Sequence, residues 1–566
     1  MDKKIPTPLP IGESIFDRLI ESGSYYVDKT LFIKDILDSN AKFLLCTRPR
    51  RFGKTLNQTM LKCFFEDTAQ IGGKNTRVLF NGMNIEKAGE KYLEHQGKYP
   101  VIFLSFKDAK KETFEDSFGI LKYTIAEELR RHSYIKEKIT NKNELELFDK
   151  IDSGEGTVND YSVSFKFLCK HLENYYNRPP IVLIDEYDVP LENAYVRGYY
   201  ERMVDFIRSL LSMGLKDNPH LQFAVITGCL RISKESIFTG LNNLEIVSIL
   251  SKDYAEHFGF TQSEMDTTLS HYGMESKSAI VKKWYDGYLF GDTEVYNPWS
   301  SICVVKSWLT DINELPKPYW ANTSGNVIVR KLIDKASGET KTELETLMLD
   351  GTISKVIHED ITYAEIENDT DNIWNFLFFT GYLKKVAERS DENGILTLDL
   401  SIPNTELMYI YKTKIQEWFK LRVRQKDFGP LYDAILKGNA EFVQNELSAL
   451  LLDTISYLNS QEDFYHGFML GILASLQNFS AKSNREMGIG RSDIILRHNS
   501  KRGQAVILEF KWTDDIRKIT AKCEDALRQI EEKQYGRELE NEGYEAKKIL
   551  KYGIAFCGKD CEVRKG

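Results

Sequence analysis

The stretch Phe43-Leu44-Leu45-Cys46-Thr47, running directly into Arg48-Pro49-Arg50-Arg51-Phe52-Gly53-Lys54-Thr55, constrains this chain more than any other. Residues 43 to 47 read as a short buried strand and residues 54 to 66 as a helix, which puts Gly53, Lys54 and Thr55 at a strand-to-helix junction. Backbone N–H groups at a helix N-terminus converge on an anion. A lysine there neutralises distal phosphates, and a hydroxyl beside it can hold magnesium. By composition alone a Gly-Lys-Ser/Thr triplet is expected about 0.3 times in such a chain, so its weight comes from the elements around it.

Those elements follow downstream. Val101 to Phe106 reads as a second strand, 113–133 and 162–176 as helices, Ile181 to Ile184 as a third strand, 197–214 as a helix, and Gln222 to Thr227 as a fourth strand. Short apolar runs alternating with longer helical patterns predict a parallel sheet covered on both faces, so residues 1–250 form one α/β domain. The third strand delivers Asp185 and Glu186 at its C-terminal end, where ligands of open parallel sheets bind. The expected nucleotide site takes in Arg51, Phe52, Gly53, Lys54, Thr55, Asp185 and Thr227. Thr55 and Asp185 would hold magnesium, and Glu186 would orient or deprotonate the attacking water. Solvated acids at a strand end are the plain alternative for the acidic pair. Where the usual phosphate loop opens with glycine, this chain has Arg48 and then Pro49, so the loop must reach its shape without that permissive residue. Arg50 and Arg51 are further candidates for phosphate contact. Thr227 and Arg231 are candidates to sense the terminal phosphate, with an ordinary polar strand end as the alternative.

At 566 residues the chain exceeds what one core usually supports, and two or three domains are expected. Hydrophobic content of 42% and charged content of 28%, with 29 Tyr and 31 Phe, describe a folded soluble protein. Neither a leader nor a membrane-length apolar run is apparent. The eight cysteines are scattered, with Cys557 and Cys561 the only close pair, which fits reduced thiols in a cytoplasmic protein. A net charge of −9 argues against an overall electrostatic grip on nucleic acid. A local patch would have to serve: Lys412, Lys414, Lys420, Arg422, Arg424 and Lys426, interleaved with Tyr411, Trp418 and Phe419, is the best candidate. An amphipathic helix with a solvated basic face explains the same pattern. Residues 251–403 turn more helical, with the aromatic clusters Trp284-Tyr285-Asp286-Gly287-Tyr288 and Asn297-Pro298-Trp299 and a hairpin turn at Asn393-Gly394. They read as a helical lid or linker domain.

The last part, 404–566, carries a second constellation. A helix through residue 476 precedes strands near 479–486, 491–496 and 504–510, a helix over 516–533 and a strand over 552–557. Residues two apart share a strand face, so Glu509 and Lys511 project together while Phe510 packs the other way. Asp493 on an adjacent antiparallel strand would add a second carboxylate. Asp493 and Glu509 would bind Mg2+ or Mn2+, and with Lys511 form a catalytic set for phosphodiester hydrolysis. A surface ion pair on an edge strand is the alternative. Glu486 or Glu462 could be a further acid, and His466 reads as a packed helix residue rather than a ligand.

Tyr25-Tyr26-Val27-Asp28-Lys29-Thr30, the loop Arg48 to Thr55, and Asp185-Glu186-Tyr187-Asp188 together resemble the AAA-ATPase-like family of bacterial fusion proteins. The resemblance extends through Thr227-Gly228 and Ser236-Ile237-Phe238-Thr239-Gly240-Leu241-Asn242-Asn243 to Trp284-Tyr285-Asp286-Gly287-Tyr288. It implies an AAA-like P-loop sheet that binds ATP, and in that family a loop lacking the first glycine is normal. Ser483-Asn484-Arg485-Glu486, Gly490-Arg491-Ser492-Asp493-Ile494, Glu509-Phe510-Lys511 and Ala526-Leu527 with Gln529-Ile530 resemble the PD-(D/E)XK nuclease domain that accompanies it. That likeness implies a restriction-endonuclease-like α/β fold in which Gln529 supports the site. Ser492 stands where the family name has proline. The joint expectation is an ATP-gated, metal-dependent nuclease acting on DNA rather than RNA. The other reading is a nucleotide-dependent switch or scaffold that binds nucleic acid or a partner without cutting. Oligomeric state, a homo-oligomer included, is left open.

Overall fold

Five short strands form the first sheet: β1 (Phe43–Thr47), β2 (Val101–Ser105), β3 (Ile181–Asp185), β4 (Phe223–Gly228) and β5 (Leu244–Val247), in the order β2-β3-β4-β1-β5. Every pairing is parallel. The computed structural model describes residues 6–69, 71–231, 237–238, 244–320, 338–359, 370–414, 427–452, 462–473, 476, 478–487 and 490–566. Within them the chain divides into two compact units, one built from Met1–Ile328 and Thr352–Ile410, the other from Val329–Gly351 and Tyr411–Gly566.

All residues of β1, β3 and β4 are buried, because helices lie on both faces. Strand alternation shows this in β2. Ile102 and Leu104 pack toward Ile125, Leu129, Phe165 and Leu168 of the helices Phe114–Arg131 and Ser164–Tyr176. Phe103, on the opposite face, lies under the Lys62 ammonium of the helix Lys54–Phe65. The first four strands match the sequence expectation to within a residue or two. The fifth, Leu244–Val247, was not expected; it is a half-buried edge strand whose short, mixed pattern carries little signal.

At the other edge, side chains occupy the open backbone of β2. Glu128 accepts from the Phe103 N–H at 2.8 Å, while Arg131 and His132 both donate to the Val101 carbonyl. Arg131 also pairs with Glu66 and Glu128. Burial pushes the Glu128 carboxyl up, but Arg131 and His132 outweigh it and hold the group well below the usual carboxylate range. This edge is closed to a further strand.

Beyond β5 the first unit continues with helices and two small antiparallel sheets: β6 (Phe260–Thr261), β7 (Tyr288–Phe290) and β8 (Thr293–Tyr296), then β9 (Ile353–Val356), β10 (Lys384–Ser390) and β11 (Leu396–Ser401). The β10–β11 hairpin turns where Asn393-Gly394 predicts it, over a longer loop in which the Asp391 carboxylate accepts from the N–H groups of Asn393 and Ile395.

The second unit holds β12 (Phe479–Met487), β13 (Gly490–His498), β14 (Ala505–Trp512), β15 (Ile549–Cys557) and β16 (Asp560–Lys565), in sequential order. Only β14 and β15 are parallel, joined through the helix Ile519–Glu532. Ile494, Leu496, Val506, Leu508 and Phe510 face the helices Gly429–Lys437, Ala440–Leu452 and Glu462–Leu473. Ile495, Ala505 and Ile507 face Ile530, Tyr535 and Leu539 on the opposite side. The unexpected β16 places Cys561 in the first of these cores, and both Cys557 and Cys561 are free thiols. Of the basic cluster, Tyr411 is buried and Lys412 and Lys414 are half-buried; residues 415–426 lie outside the described residues.

Replacing Glu128 by Ala strips the Phe103 N–H of its acceptor and leaves Arg131 with less compensation. Urea unfolding of the full chain should show a loss of about 3 kcal/mol; a loss below about 0.5 kcal/mol would mean that the edge network is ornamental.

Candidate nucleotide and phosphodiester sites

In the first unit, strand order decides the geometry. β4 lies between β1 and β3, so Thr227 at its end sits between the loop after β1 and the acids after β3. Asp185, fully buried, accepts the Thr55 hydroxyl on one oxygen at 2.7 Å and the Thr227 hydroxyl on the other at 2.6 Å. Burial, with the negative charge of Glu186 beside it, raises the Asp185 carboxyl, and the two hydroxyls oppose that shift. Glu186 follows in a left-handed backbone conformation, φ +54°. A non-glycine residue held there costs about 1–3 kcal/mol and persists where its surroundings dictate it. The next N–H, of Tyr187, donates to the Thr227 carbonyl.

The Lys54 ammonium curls back onto the phosphate loop, donating to the Arg48 and Pro49 carbonyls at 2.9 and 2.8 Å. Left-handed backbone falls at Arg51 (φ +71°) and Gly53 (φ +85°), and not at Arg48. The missing first glycine is therefore not needed for the shape this loop takes. A Cβ on Gly53 would meet nothing within 4 Å, so its φ is the reason for glycine.

The loop side chains are spent on packing. Arg48 is fully buried, donating to the Thr47 and Val247 carbonyls, with its guanidinium over the rings of Phe258 and Phe290. Burial lowers its pKa to about 10. Pro49 lies against Gly381. Arg50 pairs with Glu192. Arg51 is exposed and stands over the Trp299 ring, and Phe52 is fully buried against Tyr288 and Phe290. Phe52 can thus offer a ligand only its main chain. The motif aromatics of 284–299 turn out to be the seat of this loop, a relation with no short-range sequence signal. Arg231 lies 4.0 Å from Glu359.

Missed from sequence is the structural part of Asp188. It is buried, with one oxygen accepting from the N–H groups of Cys229 and Leu230, and burial raises its pKa to about 6. It ties the turn after β4 to the acidic strand end.

In the second unit, the pairing Ile494↔Leu508 carries Asp493 opposite Glu509, and directly opposed residues share a face. The Asp493 N–H donates to Glu509 Oε2 at 3.3 Å, and Asp493 Oδ2 accepts from the Phe510 N–H at 2.8 Å. Gln529 donates to Glu509 Oε1, and Lys511 Nζ lies 3.8 Å from that same oxygen. Burial raises the Asp493 carboxyl, while the Phe510 N–H and then Lys511 and His466 oppose the shift. His466 Nε2 is 3.0 Å from the Asp493 carbonyl. The side chains of Glu462 and Glu486 lie outside the described residues. Among the described residues no group of three or more His, Cys, Asp or Glu gathers as a metal cage. Two adjacent carboxylates suit Mg2+ or Mn2+, since magnesium is usually held by one or two carboxylates with water and substrate phosphate completing its shell.

Gly381 has φ +86°, and an added Cβ would stand 2.9 Å from Pro49 Cβ. Gly381→Ala should strain its own backbone by about 1–2 kcal/mol and push on the phosphate loop, weakening nucleotide binding about tenfold. Calorimetric titration with ATP checks this; unaltered affinity would separate Gly381 from the loop.

Two family comparisons agree with this geometry. Residues 10–238 match the family described as "Predicted AAA-ATPase", and residues 460–566 match the PD-(D/E)XK nuclease superfamily. A protein of Azotobacter chroococcum mcd 1, described as an uncharacterized protein in the vnfD 5' region, is 25% identical over 542 residues, covering 93% of this chain and 92% of its own length. With the five-stranded parallel sheet behind the first match and the mixed sheet behind the second, the chain joins an AAA-ATPase-like segment, residues 10–238, to a PD-(D/E)XK nuclease superfamily segment, residues 460–566.

Proposed function

We propose that this protein is an ATPase coupled to a metal-dependent nuclease that hydrolyses DNA. The observation that carries the reading is the placement of Asp493 opposite Glu509, beside Lys511, in the same chain as the Thr55, Asp185 and Thr227 cluster.

At the first site Lys54 exchanges the Arg48 and Pro49 carbonyls for the distal phosphates of ATP. Gly53 and the loop main chain wrap the phosphates at the helix N-terminus. Thr55 and Asp185 would hold Mg2+, which would neutralise phosphate charge. Glu186 orients or deprotonates the attacking water, and Thr227 keeps Asp185 aimed at Thr55. At the second site Asp493 and Glu509 would hold Mg2+ or Mn2+, which would supply Lewis acidity toward the phosphodiester. Gln529 fixes one Glu509 oxygen, and the Lys511 ammonium positions water or meets charge developing on the phosphodiester. Residues 1–250 serve as the ATPase, 251–403 as a lid whose Phe258, Tyr288, Phe290, Trp299 and Gly381 seat the phosphate loop, and 404–566 as the nuclease. DNA is the favoured polymer and the cytoplasm the favoured compartment. Among the described residues no helix is long and apolar enough to cross a membrane.

Lys54→Ala should abolish ATP binding. Glu186→Gln should retain binding but slow hydrolysis at least about 100-fold, measured as phosphate release; persistent nucleotide binding by the Lys54 variant would reject the phosphate-loop assignment. Separately, wild-type protein with Mg2+ or Mn2+ should cut DNA, and Asp493→Ala and Lys511→Ala should not, with unchanged melting temperatures. Binding without cleavage by the wild type would favour the switch or scaffold; undiminished cleavage by both variants would remove this site from the chemistry.

A further inference from the structure

We propose that His466 is a positioning residue of the carboxylate site, holding Asp493 in place for a divalent cation without binding the cation itself. The inference rests on the nuclease reading and adds to it a residue from outside the strand motif.

The argument begins with where the backbone pairing stops. The ladder between β13 and β14 runs from Arg497↔Ala505 to Ile494↔Leu508 and goes no further. Just beyond it, side chains take over. Both main-chain polar groups of Asp493 are held this way: its N–H donates to Glu509 Oε2, and its carbonyl meets His466 Nε2 at 3.0 Å. The Asp493 side chain in turn accepts the Phe510 N–H. Side-chain bonds therefore tie β13 to β14 where the backbone pairing between them has ceased, with the buried Glu509 beside Asp493.

A carbonyl can only accept, so Nε2 carries the hydrogen in this contact. Nε2 engaged in that way has no lone pair for a metal, so direct ligation could come only through Nδ1, and a nitrogen coupling to bound Mn2+ reports on that. The helix Glu462–Leu473 that presents it is anchored by Tyr465, Phe468, Met469 and Ile472 in the core under β13 and β14. Its ring also lies near Phe510, 6.1 Å between centroids, so His466 borders the strand positions of both acids. Without it the Asp493 carbonyl loses the donor that His466 supplies, and on the β14 side only the Asp493 N–H and carboxylate bonds remain, while β12 still pairs with β13 on the other side. Partners of this indirect kind typically govern metal affinity 10–100-fold.

The test is Mn2+ binding by the full chain, followed by calorimetry and by electron paramagnetic resonance, without reference to cleavage. His466→Ala should weaken binding about 10–100-fold. His466→Gln, whose amide N–H can reach the same carbonyl, should restore affinity to within about threefold and keep the wild-type melting temperature. The pulsed spectrum of the wild-type complex should show no histidine nitrogen coupling. Wild-type affinity in His466→Ala, or a Gln variant that folds normally yet binds as poorly as the Ala variant, overturns the proposal. A nitrogen coupling that vanishes in His466→Gln overturns it in favour of direct ligation. Failure of the underlying nuclease reading looks different: Asp493→Ala would then leave Mn2+ binding unchanged.

Discussion

A single buried carboxylate organises the first unit. Asp185 bonds hydroxyls from the helix after β1 and from the end of β4, so three strand ends meet at one group. Such a group is tolerable in the interior because both its oxygens are hydrogen-bonded. Its placement depends on strand order: β4 separates β1 from β3, and Thr227 spans the gap. A sheet with β1 directly beside β3 would bring Asp185 to Thr55 without leaving a place for that bridge.

The arginine-rich loop makes sense against the same frame. A buried guanidinium without a carboxylate is costly. Arg48 is compensated in part, by two carbonyls that both accept from Nη1 and by two aromatic faces worth of order 1–2 kcal/mol each when desolvated, while its buried Nε and Nη2 have no hydrogen-bond partner among the described residues. Phe52, Pro49 and Arg51 extend the seat to Tyr288, Phe290, Gly381 and Trp299. The phosphate loop is thus built as much from residues two hundred to more than three hundred positions away as from its own sequence. A change in that seat would be felt at Lys54, whose ammonium rests on the carbonyls of Arg48 and Pro49.

The second unit handles its acids differently. Asp493 and Glu509 come together where the strand ladder ends, and each carboxylate bonds a main-chain N–H of the facing strand. Their side chains take up main-chain N–H groups that the ladder between β13 and β14 no longer pairs. Gln529 and Lys511 converge on one Glu509 oxygen, which limits that side chain to a narrow set of positions.

Local chemistry alone announced the strand-loop-helix junction at Gly53, the acidic end of β3, the alternation that puts Glu509 and Lys511 on one face, and most of both sheets. Each is a periodicity or a turn spanning a few residues, and such signals survive without knowledge of the fold. Edge strands β5 and β16 escaped because half-exposed strands carry weak patterns. The destination of Arg48, the clamp at Asp188, the seating role of Tyr288, Trp299 and Gly381, and the contact from His466 to Asp493 all depend on residues far apart in the chain. No spacing rule encodes them, since they arise only when packing brings those residues into one place and buried polar groups must find partners there.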